Sequence, residues 1–109
     1  MKVQKDQIYF LNLLREKKLK FYAFVFVSNV VRNKILVYDQ GGRGHVIKNK
    51  LVKEEKSCNQ YYWFDKGAIE LCKLTIENWH HSIPDVKPPK SVKTDKQLVR
   101  YVKEHFFSD

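Results

Sequence analysis

Seven consecutive residues, Phe21 to Val27 (FYAFVFV), are aromatic or β-branched apart from Ala23. Such a run reads as a buried strand. It falls far short of the ~20 apolar residues that a bilayer-crossing helix needs. Lys34 to Tyr38 (KILVY) supplies a second strand. The two are expected to pair as an antiparallel hairpin that turns near Ser28-Asn29. A buried strand needs cover, and a chain of 109 residues has room for one core. One domain over residues 1–109 is therefore expected.

The flanking segments supply the cover. Ile8, Leu11 and Leu14, widened by Phe10 and Leu13, recur at near-helical spacing. They predict a first helix over residues 6–20, with Asp6 as its N-cap and Arg15, Lys17, Lys18 and Lys20 at its C-terminal end. Residues 45–52 (HVIKNKLV) resume strand character, residues 53–60 read as a loop, and YYWF at 61–64 reads as a short aromatic strand or core anchor. Ile69, Cys72, Leu74, Ile76 and Trp79 predict a middle helix over 66–79. Pro84, Pro88 and Pro89 impose an extended connector over 84–93. Thr94-Asp-Lys-Gln97 is a capping box opening a last helix to about Phe106, with Leu98, Val102 and Phe106 on one face. The expected fold is α+β: a small antiparallel sheet packed with N-terminal, middle and C-terminal helices.

Charge directs the functional reading. The chain carries 21 Lys+Arg against 12 Asp+Glu, a formal net charge of +9. An excess of this size favours a polyanionic partner, nucleic acid first and an acidic protein or membrane surface second. Aromatic residues at 14 % and only 4 Gly and 3 Pro exclude a disordered or low-complexity chain. Residues 1–56 hold 13 basic and 5 acidic groups, a net of +8, and residues 57–109 hold 8 and 7, a net of +1. Within that second half, residues 87–103 concentrate six basic groups and one acidic group. The polar start of the chain and its two cysteines, read as reduced thiols, predict a soluble intracellular protein with no membrane segment.

Three of the four glycines lie in Gly41-Gly42-Arg43-Gly44. The segment matches neither the nucleoside-triphosphate loop nor the dinucleotide fingerprint. It reads as a hairpin connection, with Arg43 available to a nucleic-acid backbone. Lys48, Lys50, Lys53 and Lys56 follow, and Lys48 and Lys50 share a strand face on which they can meet adjacent phosphates. Lys90, Lys93, Lys96 and Arg100 extend the expected footprint, and Trp79, His80 and His81 are candidates for base or backbone contacts. A core-anchoring role is the plainer reading of Trp63 and Trp79.

Cys58, Cys72, His80 and His81 provide four N/S groups, the right count for zinc, but the Cys-x13-Cys-x7-His-His spacing is not a knuckle. The plain reading is two buried thiols and a surface histidine pair, so neither metal nor cofactor is assigned. Asp65, Glu70 and Glu77 form no paired-carboxylate signature, and no base stands beside a nucleophile in a recognisable motif. The chain is read as a non-enzyme. A basic nuclease or toxin is a third reading.

Gly44 to Ile83 resembles the SAND domain of eukaryotic transcription regulators. Gly44, Lys48, Lys50, Cys58, Trp63, Phe64, Trp79, Ser82 and Ile83 fall in that family's order, and LVRYVKEHFF matches its closing helix. Glu77-Asn78-Trp79-His80 stands where the family has Lys-Asp-Trp-Lys, and Asp65-Lys66 where it has Thr-Pro. A FLYWCH-type zinc module is a second likeness, around LVYDQ and YYWF. The SAND resemblance implies nuclear DNA binding and transcription regulation. Together these readings predict a nucleic-acid-binding protein that favours duplex DNA, with a small effector binding an acidic protein as the alternative.

Overall fold

The computed structural model describes residues 2–16, 18–48, 51–54, 57–62 and 67–108. Seven strands and two helices follow in chain order: β1 (Ile8–Arg15), β2 (Lys18–Val31), β3 (Lys34–Asp39), β4 (Gly44–Lys48), β5 (Leu51–Glu54), β6 (Cys58–Tyr62), β7 (Ala68–Lys73), α1 (Ile76–Ser82) and α2 (Asp95–Phe106). The strands form one sheet in the order β4-β3-β2-β1-β7-β6-β5, antiparallel throughout.

This corrects the expected fold, in which three helices pack on a small sheet. The segment read as an N-terminal helix is β1, a central strand paired with β2 on one side and β7 on the other. The reason is burial on both faces. Tyr9 and Leu11 face one core cluster while Phe10 faces the other. A strand covered on both sides loses its period-two alternation, so its apolar residues mimic a helical stripe. Asp6 is no helix cap; it adopts φ 65° ahead of the strand. Arg15 pairs with Lys18 across a two-residue connection that begins with Glu16 at φ 51°.

The middle helix is corrected too. Residues 68–73 are β7, with Ile69 and Leu71 in one cluster and Cys72 in the other. The chain turns helical only at Thr75, whose side chain accepts a hydrogen bond from the Asn78 N–H and starts the seven-residue α1. Nor is Ser28-Asn29 a turn. Ser28 is the extra residue of a bulge between Val27 and Asn29, and the hairpin turns at Arg32-Asn33. The stretch 45–52 is two strands, β4 and β5, at opposite edges of the sheet. The capping box is present as read: Thr94 accepts from Gln97 N–H, and Gln97 Oε1 accepts from Thr94 N–H.

Only two residues separate β4 from β5, so covalent geometry holds those edge-strand ends within about 11 Å of each other. β4 also comes against β6. The sheet therefore coils into an incomplete barrel. Its interior holds Leu11, Val25, Val27, Ile35, Val37, Ile47, Tyr61 and Leu71. Its outer face over β1, β2, β6 and β7 is covered by the helices, through Trp79 of α1 and Leu98 and Val102 of α2. Phe24 lies at the centre of that outer core, with ring centroids 5.3 Å from Phe10, 6.2 Å from Trp79 and 5.0 Å from Phe106. Each such pair adds about 1 kcal/mol beyond area burial. No helix among the described residues is long and apolar enough to cross a membrane.

Candidate functional site

α2 is a strongly two-sided helix. Leu98 and Val102 are fully buried against the sheet. Lys96, Arg100 and Lys103 are exposed and recur at i, i+4 and i+7. At 100° per residue they fall within an arc of about 60° roughly opposite the buried pair. Lys93 is exposed just before the cap, and Lys87 and Lys90 are exposed in the connector. Among the described residues, no salt bridge involves Lys93, Lys96, Arg100 or Lys103. Asp95 sits in the first turn, where it suits the helix dipole, and Glu104 flanks the stripe.

The stripe runs toward an open groove of about 670 Å³ between the end of α2 and the β3–β4 turn. Tyr38, Gln40, Gly42, Val99, Lys103 and Phe107 are among its lining residues. Tyr38 is 48 % exposed, a large aromatic surface beside a cation. The turn beneath it is rigidly built. Asp39 Oδ1 accepts from the N–H of Gly41 and of Arg43, and Asp39 Oδ2 lies 2.9 Å from His45 Nε2. These bonds, the His45 contact foremost, hold the Asp39 carboxyl below its ordinary value. Gly42 supplies the left-handed backbone, at φ 82°.

The expected contacts divide between two places. Lys90, Lys93, Lys96 and Arg100 belong with α2. Arg43 lies in the β3–β4 turn, near the groove. Lys48 lies at the far end of the same hairpin, directly across from Lys34. Lys50 and Lys56, like Trp63 and Phe64, lie outside the described residues, as does the side chain of Lys53. Trp79 is 6 % exposed and its Nε1–H donates to the Val86 carbonyl at 2.8 Å, so it anchors α1 to the connector within the core. His80 is exposed on α1. Lys103 and Tyr38 were not singled out by sequence. Lys103 was legible as the next step of the Lys96–Arg100 spacing, whereas Tyr38 carries no local signal for its exposure.

A second cluster lies beneath α1. Cys58 and Cys72 are directly opposed on β6 and β7 and are joined as a disulfide. This corrects their reading as reduced thiols, because a register pairing two cysteines face to face places their sulfurs in contact. Around them sit Glu70 of β7, Asn12 of β1, Gln60 of β6, and Ser82 and His81 of α1. Asn12 Nδ2 donates to Ser82 Oγ at 2.9 Å and to Glu70 Oε1 at 3.2 Å, and lies 3.8 Å from Cys72 Sγ. His81 Nε2 is 3.0 Å from Glu70 Oε1, and Gln60 Nε2 donates to Glu70 Oε2 at 3.4 Å. Of the four residues considered for zinc, Cys58 and Cys72 come together beside Glu70, His81 reaches the cluster through Glu70, and His80 takes no part in these contacts.

Comparison with protein-family profiles, with curated proteins and with solved structures finds no match to this chain.

Proposed function

We propose that the chain is a non-catalytic nucleic-acid-binding protein whose phosphate-contacting surface is the outward face of α2. The observation carrying this reading is the alignment of Lys96, Arg100 and Lys103 on one exposed stripe of a well-capped helix. Such a stripe presents fixed cations at regular spacing, which suits a polymer with regularly spaced phosphates. The net charge of +9 points the same way, as does the resemblance of residues 44–83 to the SAND domain. Duplex DNA is the favoured form. The stripe is straight, and its length of about 10 Å covers about three phosphate steps along one strand. Arg43 and the exposed ring of Tyr38 extend the surface past the end of the helix.

The test is fluorescence anisotropy with random-sequence duplex DNA, single-stranded DNA and RNA over a salt series. Duplex binding that weakens linearly in log salt supports the reading. Stronger binding to a single strand would shift the contact to the Tyr38 groove. Absence of binding to all three at low salt would overturn it. A second reading, docking of an acidic protein, is favoured by Val30, Val31 and Val46, which are exposed on β2 and β4 beside Lys34 and Lys48. In that case an acidic protein co-purifies and the 260/280 ratio stays low.

A further inference from the structure

We infer that the cluster beneath α1 is a redox-gated site for a thiophilic divalent cation of the zinc type. Its ligands are Cys58, Cys72, Glu70 and His81. The ligand atoms of Cys58, Glu70 and Cys72 all lie within 4.8 Å of one another, and all three residues are buried. His81 lies outside that 4.8 Å grouping, but its Nε2 is 3.0 Å from Glu70 Oε1, and a side-chain rearrangement once the sulfurs part brings it in as the fourth group. Two sulfurs, a carboxylate oxygen and an imidazole nitrogen make a four-coordinate set of the kind zinc accepts.

Two further observations point to a cation. Glu70 is 6 % exposed, and among the described residues its polar neighbours are Asn12, Gln60 and His81, with no lysine or arginine. A buried carboxylate needs a charged partner or neutralisation; His81, 3.0 Å away and half exposed, supplies that charge only when protonated, whereas a divalent ion at the sulfurs supplies it permanently. Asn12 is fully buried, and its Nδ2 bonds to Glu70 and approaches Cys72 Sγ while its Oδ1 has no partner among the described residues. An amide reaching two ligands at once is the supporting contact that metal sites use to hold their ligands in place. A purely structural disulfide has no need of this polar surround.

The gate is the disulfide itself. A dithiol reductant delivers two electrons and two protons and becomes a disulfide, and the Cys58–Cys72 bond opens to two thiols. When the cation binds, both thiol protons pass to solvent. Oxidation by a disulfide reverses the sequence and releases the ion. The site faces α1, on the side of the sheet that also carries α2, and it stands independently of nucleic-acid binding.

The experiment adds cobalt(II) as a spectroscopic probe to the full chain, oxidised and reduced, and then displaces it with zinc. Reduced protein is expected to take up one cobalt per chain with a thiolate charge-transfer band and tetrahedral visible absorption, and oxidised protein none. His81→Ala and Glu70→Gln should each weaken binding at least tenfold, while His105→Ala, at a remote imidazole, leaves it unchanged. His81 is half exposed at the end of α1, so its replacement spares the buried core that Cys72→Ser would disturb, and circular dichroism checks this. No stoichiometric band in the reduced protein overturns the proposal. Equal uptake by oxidised protein, or affinity indifferent to both His81→Ala and Glu70→Gln, does so as well.

Discussion

Replacing Lys96, Arg100 and Lys103 together by glutamine removes the outward stripe of α2 and leaves its buried face intact. Each cation that neutralises a phosphate contributes about 0.9 to the slope of log affinity against log salt on duplex DNA. Three lost contacts should make that slope shallower by about 2.7. At about 0.1 M monovalent salt the same loss is about 500-fold in affinity, or about 3.7 kcal/mol. The substitutions are solvent-exposed, so folding stability should move by no more than about 0.5 kcal/mol. Anisotropy titrations of the parent and the triple variant at several salt concentrations measure both quantities. Parallel lines of equal intercept would refute the reasoning: the stripe would then be a solvated helix face and nothing more. A parallel variant at Arg43 and Lys48, which lie at opposite ends of one hairpin, should show a smaller change, since those two positions cannot act as one cluster.

Three further outcomes follow from the fold. Phe24→Ala removes a ring that meets Phe10, Trp79 and Phe106; a loss of about 3–5 kcal/mol and a melting temperature lower by roughly 13–20 °C are expected by calorimetry. Thr94→Ala deletes half of the capping box and should cost about 1 kcal/mol, or about 4 °C, with no change in the sheet signals of a nuclear magnetic resonance spectrum. Asp39 has a folded pKa below its ordinary value of 3.8, so its contribution is full above that value and is lost as the pH falls through the folded pKa. The melting-temperature gap between the parent and Asp39→Asn should therefore hold steady at neutral pH and shrink in acid below about pH 4; a gap that persists through acid unfolding contradicts the assignment.

The parts of this protein that could be read locally are those whose signal is complete within a few residues. The capping box at Thr94–Gln97 is such a signal, since both hydrogen bonds close within one turn of chain. So is the strand Lys34–Tyr38, and so is the proline connector, where the ring itself forbids regular structure. The first and middle helices were misread for one shared reason. β1 and β7 neighbour each other in the sheet and are buried on both faces, so their apolar residues do not alternate. Ile8, Leu11 and Leu14 then fall on a helical period by coincidence of composition. The stripe on α2 was half legible: Lys96 and Arg100 stand four residues apart, and only the extent of the helix adds Lys103.

By itself the sequence determined a basic chain, a capped C-terminal helix with one apolar face and Lys96 and Arg100 one turn apart, and a glycine-rich hairpin connection. Each of these rests on local chemistry: charge, capping, or the backbone freedom of glycine. The tertiary structure decided that the sheet coils into an incomplete barrel, that Trp79 anchors the core, and that Cys58, Cys72, Glu70, His81 and Asn12 meet beneath α1. Those residues lie up to 70 positions apart, as Asn12 and Ser82 do. Their meeting depends on the register of β1, β6 and β7, and register is set by which faces are buried, a property of the assembled sheet and of no single segment.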